Sequence, residues 1–178
     1  MRLFSKVRFC LRADGHIVMK KIYWILRMLV LRPRSELVVA NYRFAEWCRS
    51  KGFTRLGNYC LMRSLNSYDV EICVGARLEE GVRFPHPTGI VIGGGAILGK
   101  GVIVHQGVTL GAANFCLDTM RGEECNQVIG DRVILGAGCK ILGDVTIASD
   151  CIIGANSIVT KSVTRRAIVT GVNQQRLL

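Results

Sequence analysis

The chain has 178 residues, enough for one sizeable core and too few for two full domains. Twenty-four lysines and arginines against thirteen acidic residues leave a formal charge of +11, which suits a polyanionic partner: nucleic acid, an anionic membrane surface or a phosphorylated small molecule. No nucleic-acid motif accompanies that charge, and the eight cysteines show neither paired spacing nor a CxxC pattern, which sets aside a nucleic-acid binder and a disulfide miniprotein. The cysteines read as reduced and mostly buried.

Residues 1–68 carry a helical period, with apolar positions three and four apart through 17–31 and again through 37–47, and Pro33 between the two runs. Gly52 is placed to stop the second run. The stretch 22–31 is apolar but broken by Arg27, and it falls short of the roughly 20 residues a membrane span needs. No small-residue cleavage site follows it, so the cytoplasm is the expected location. Its basic flanks also suit a peripheral contact with the inner face of an anionic membrane, against the plainer reading of a packed or oligomer-forming helix.

After Glu71 the period changes to six. The hexads run Ile72-Cys-Val-Gly-Ala-Arg, Leu78-Glu-Glu-Gly-Val-Arg and Phe84-Pro-His-Pro-Thr-Gly, then slip by two residues into Ile92-Gly-Gly-Gly-Ala-Ile, Leu98-Gly-Lys-Gly-Val-Ile and Val104-His-Gln-Gly-Val-Thr. They resume at Ile129 and continue through Leu135, Ile141, Ile147, Ile153 and Val159. An aliphatic first place and a small or β-branched fifth place (Ala76, Val82, Ala96, Val102, Val108, Val133, Cys139, Val145, Cys151, Ser157) point into a narrow prism, while Gly, Asn or Asp between them permits sharp corners. Three hexads make one triangular turn, and turns stack through parallel backbone pairing. The expected fold is mainly β: a left-handed parallel β-helix over 69–172 with a small N-terminal α-helical region over 1–68 and a tail at 173–178. Two interruptions stand out, the two-residue insertion at 86–91 and a polar excursion near 113–128 that must leave the prism as an external loop.

Three stretches carry a family resemblance: His86-Pro-Thr-Gly-Ile-Val-Ile-Gly, Gln106-Gly-Val-Thr-Leu-Gly, and Ile134-Leu-Gly-Ala-Gly-Cys-Lys-Ile-Leu-Gly-Asp-Val. Residues 68–172 resemble the serine acetyltransferase branch of the hexapeptide-repeat acyltransferases. The resemblance implies an acetyl-CoA-dependent O-acetyltransferase, a homotrimer or a dimer of trimers, with its sites between adjacent prisms and no metal. His86 falls on the family's catalytic histidine, where neutral imidazole can take a hydroxyl proton. Glu71 stands where the family places an acidic partner, with Asp69 as the alternative. Gly111, Ala112, Ala137 and Ala155 inherit the acyl and pantetheine contacts, and Lys140, Lys161, Arg165 and Arg166 are candidates for the CoA phosphates. His105, at an outward second place of its hexad, reads as a solvated surface residue, with contact to substrate or cofactor at the subunit seam as the alternative; His16 reads as surface, and without a third histidine in the repeat a metal centre is not expected.

Serine-specific relatives carry charged residues where this chain has Pro85, Cys125 and Asn126, so an amino-acid zwitterion lacks its expected countercharges. Pro85, Arg121, Asn126 and Gln127 are therefore read as lining a site for a neutral acceptor, and the expected reaction is O-acetylation of a saccharide in glycan assembly. Arg121 is placed to replace the missing arginine. Serine O-acetylation is the alternative, and a non-catalytic trimeric scaffold is a third reading.

Overall fold

A computed structural model describes residues 34–113, 115–116, 121–122 and 125–177, with side chains from 36–113 and 125–177. The expected helix over 17–31, the membrane-facing stretch within it and His16 lie outside the described residues. Among those described, no helix is long and apolar enough to cross a membrane.

Two helices open the described chain, α1 (Arg34–Ser50) and α2 (Thr54–Tyr68). In α1, Val38, Tyr42, Ala45 and Cys48 recur at helical spacing and are buried. The helix stops at Gly52, whose φ of +85° only a residue without Cβ adopts freely. Helix α2 turns a line of small residues, Gly57, Cys60 and Ser64, toward α1, and a Cβ at Gly57 would sit 2.8 Å from the Ala45 carbonyl oxygen. Asn41 Nδ2 ties the pair by donating to the Cys60 carbonyl and to Ser64 Oγ, both at 2.7 Å. Phe44, Trp47, Phe53, Leu56, Tyr59 and Met62 stay exposed on this hairpin.

The rest is a three-sided parallel β-helix. One face stacks β1 (Val70–Ile72), β3 (Ile90–Ile92), β6 (Thr109–Gly111), β11 (Lys140–Leu142) and β14 (Ile158–Val159). A second stacks β2 (Arg77–Leu78), β4 (Ile97–Leu98), β9 (Gln127–Ile129) and β12 (Val145–Ile147), and the third stacks β5 (Ile103–Val104), β10 (Ile134–Leu135), β13 (Ile152–Ile153) and β15 (Ala167–Thr170). Ile92 pairs with Leu110 and Ile134 with Ile152, eighteen residues on, which is three hexads per turn. Val70 instead pairs with Ile90, two residues further, so the insertion is taken up within the first turn. All ten fifth-place residues named above are buried, beside the first-place aliphatics. Each fully buried aliphatic contributes about 1.5–3 kcal/mol against solvent exposure, and this axial ladder is the core.

Corners stack in columns. Gly81, Gly101, Arg132 and Asp150 occupy one column, all with positive φ, and in its upper turns Arg132 grips Asp150 through two 2.7 Å bonds. Corner side chains also take the preceding turn's free amides: Lys100 N–H donates to Asp131 Oδ1 at 2.8 Å and Asp131 N–H to Ser149 Oγ at 3.0 Å.

Both ends are covered. At the first turn Tyr42 inserts from α1 and its hydroxyl donates to the Ala76 carbonyl at 2.8 Å; burial and the nearby Glu46 carboxylate push that phenol upward. At the other end the segment expected as a tail forms β16 (Gln174–Leu177), antiparallel to β15. Within the excursion, β7 (Phe115–Cys116) and β8 (Arg121–Gly122) form an antiparallel pair outside the three stacks.

Candidate functional site

The register break between β2 and β3 sets the site. There the chain lays out Phe84-Pro-His-Pro-Thr-Gly: Phe84 fills the interior, whereas Pro85 and His86 are exposed. Backbone bonds fix the turn, with Thr88 N–H donating to the His86 carbonyl and Gly107 N–H to the Thr88 carbonyl, each at 2.9 Å. Asp69, at φ +54° on the end of α2, accepts the Gly89 N–H through Oδ2 at 3.0 Å. Its carboxylate is thus occupied in stapling the break to the helix end.

Glu71 is the outward, exposed residue of β1, beside Val91 of β3. The Cys73 thiol lies 3.8 Å from Glu71 Oε1, and burial together with that carboxylate pushes the thiol up, so it stands as a protonated donor. No hydrogen bond joins Glu71 to His86, and catalytic bonds of this kind often close only around bound substrate. The ring that does approach His86 is His105, with centroids 6.4 Å apart and planes at 38°. His105 is half-buried rather than a solvated surface residue. Counting one eighteen-residue turn from Pro87 reaches position 105, a signal that the sequence held.

The expected donor-side residues fall on the outer corners. Gly111 ends β6, Ala112 follows it, and both are half-buried, as is Ala137; Ala155 is exposed one turn above Ala137. On the turn below Ala137, Gln106 Oε1 is buried with no hydrogen-bond donor among the described residues. Lys161, Arg165 and Arg166 are exposed and available to phosphates. Lys140 departs from expectation. Its ammonium folds onto the preceding turn, donating to the Gly107 carbonyl at 2.6 Å and Thr109 Oγ1 at 3.0 Å, which removes it as a free phosphate clamp.

Gln127 also departs from its expected role as an acceptor contact. It is fully buried, and its Nε2 donates to the carbonyls of Gly111 at 3.1 Å and Gly143 at 2.7 Å. The side chain locks together the points where the excursion leaves and rejoins the prism, and it offers no donor to a substrate. Asn126 is exposed, with its backbone N–H on Asp144 Oδ1 at 2.7 Å, and the side chain of Arg121 lies outside the described residues.

Residues 128–161 match the pattern described as Bacterial transferase hexapeptide (six repeats). The chain is 38% identical over 137 residues to a serine acetyltransferase of Mycobacterium tuberculosis, covering 77% of this chain and 58% of that protein. It is 31% identical over 147 residues to a serine acetyltransferase of Synechococcus elongatus, covering 83% of this chain and 58% of that one. The chain belongs to the hexapeptide-repeat acyltransferases, in their serine acetyltransferase-like branch.

Solved structures agree on the architecture. A serine acetyltransferase in complex with cysteine superposes with a TM-score of 0.73 at 28% identity, covering 85% of this chain and 61% of that one. The Neisseria gonorrhoeae serine acetyltransferase in complex with serine gives 0.72 at 29%, covering 86% and 60%. The coil is the left-handed β-helix expected from the hexads. The chain spans a little under three fifths of the length of these curated relatives. They also overturn the saccharide acceptor. That expectation rested on three substituted positions, whereas the likeness to serine acetyltransferases extends over most of the chain.

Proposed function

We propose that this chain, as a homotrimer, transfers the acetyl group of acetyl-CoA to the hydroxyl of L-serine. The observation that carries the reading is His86, held exposed in the register break within a chain similar along most of its length to serine acetyltransferases. Acetyl-CoA supplies an acyl group activated as a thioester. His86 takes the serine hydroxyl proton as that oxygen attacks the acyl carbon, and returns it to the sulfur as the carbon–sulfur bond breaks. Glu71 orients the imidazole and stabilises the imidazolium. Gly111, Ala112, Ala137 and Ala155 let the pantetheine arm approach the backbone closely, with Gln106 Oε1 as a buried acceptor beside that path. Lys161 and Arg166 hold phosphates. Outward aliphatic side chains such as Val91 and Ile158, both on the first face, support burial against neighbouring prisms.

The test is free-thiol release from acetyl-CoA with and without L-serine. Serine-dependent release that falls about 10²- to 10⁴-fold in His86→Ala supports the reading. Release equal to the serine-free background refutes the acceptor, and full activity in the variant refutes the base. Sedimentation at the mass of three chains checks the assembly.

A further inference from the structure

We infer that His105 is a second imidazole of the acceptor site, donating a ring N–H to the acceptor's carboxylate while His86 faces its hydroxyl. This rests on the serine reading above. The two rings converge from successive turns with centroids 6.4 Å apart. That separation is too wide for a direct bond between ring nitrogens, since such bonds run about 2.7–3.2 Å between heavy atoms. It does suit a small molecule carrying a hydroxyl on one carbon and a carboxylate on the next, one function against each ring.

Both rings stand on braced backbone. The amide of His105 donates to the Leu135 carbonyl at 3.0 Å, Val104 N–H to the Arg83 carbonyl at 2.9 Å, and the His86 turn is closed by Thr88. Neither imidazole is used elsewhere: among the described residues neither forms a hydrogen bond or ion pair through its side chain. An imidazole donates from one nitrogen when neutral and from both when charged, so His105 provides a donor in either form.

The experiment compares wild type, His105→Leu and His105→Asn with two acceptors, L-serine and L-serinamide, which lacks the carboxylate. The expected result is a KM for serine raised about 10- to 100-fold in His105→Leu, the loss a charge-assisted hydrogen bond gives. The expected kcat and KM for acetyl-CoA stay within about twofold, and His105→Asn recovers part of the loss because its amide still donates. Serinamide is then used equally by wild type and His105→Leu. Equal losses with both acceptors, or a fall in kcat at unchanged KM, overturn the assignment. If His105→Leu melts early, His105→Asn is read by the same criteria. A wild-type chain that ignores serine removes the underlying reading, and this failure is visible before any substitution is made.

Discussion

Replacing Gln127 by Leu separates a structural role from a substrate role. The change keeps the bulk of a fully buried side chain while deleting two amide bonds to carbonyls, at 3.1 Å to Gly111 and 2.7 Å to Gly143, and a weaker 2.9 Å contact with the Cys125 sulfur. The Gly111 carbonyl retains the Gly143 N–H at 2.9 Å, so the Gly143 carbonyl is the group left bare. Two net bonds are worth about 1 kcal/mol each, and a stranded buried carbonyl costs about 1–3 kcal/mol more. Against this, the variant no longer buries the Gln127 Oε1 without a donor and gains apolar burial. The balance is a destabilisation of about 2–3 kcal/mol, or a Tm lower by about 5–10 °C at this chain length. Differential scanning calorimetry of wild type, Gln127→Leu and the exposed control Asn126→Ala measures it. A Gln127→Leu protein that melts with wild type but binds serine weakly would refute the reasoning and restore Gln127 to the acceptor site.

Other changes report on separate features. Tyr42→Phe should lower stability by about 1–2 kcal/mol in urea unfolding, because the Ala76 carbonyl loses its buried donor. Cys139, whose thiol burial pushes up to about 12, should resist iodoacetamide at pH 8 in the folded protein and react after unfolding, as peptide mass spectrometry would show. Arg132 holds the Asp150 carboxyl below its ordinary value, so the pair's stabilisation is present above the unfolded carboxylate pKa of about 3.9 and disappears as pH falls through the lower folded value. The melting difference between wild type and Asp150→Asn should therefore be small at pH 7, smaller still in 1 M salt, and absent in strong acid. Glu71→Gln should lower kcat without moving the melting temperature, with Glu71→Asp partly restoring it; unchanged kcat would remove Glu71 from the reaction.

Positions inside the prism were the most legible in the sequence. A narrow interior accepts only aliphatic and small side chains, so first and fifth places announce themselves without knowledge of their neighbours. The break at His86 was legible for the same reason, since a strict period exposes its own interruptions. Gln127 was not: two places before Ile129 it falls on an inward fifth place, but a polar residue at the end of a polar run does not announce itself as interior. Lys140 occupies an outward place as the hexad dictates, yet a long side chain chooses its own partner and here folds back on Gly107 and Thr109. The acceptor was misread because missing countercharges at three positions were weighed above a likeness to serine acetyltransferases that extends over most of the chain.

A stack of near-identical turns has no natural length, and each new turn offers the next the same open ladder. In this chain the reversal through Gly171 and Asn173, both at positive φ, turns the backbone around and lays β16 along the edge of the third face. What that face then shows to solvent is Gln174, Gln175, Arg176 and Leu177, all exposed. A short border of four residues, three of them polar or charged, running antiparallel to the stack is a poor template for another molecule's parallel turn, so the ladder of the third face does not continue past it.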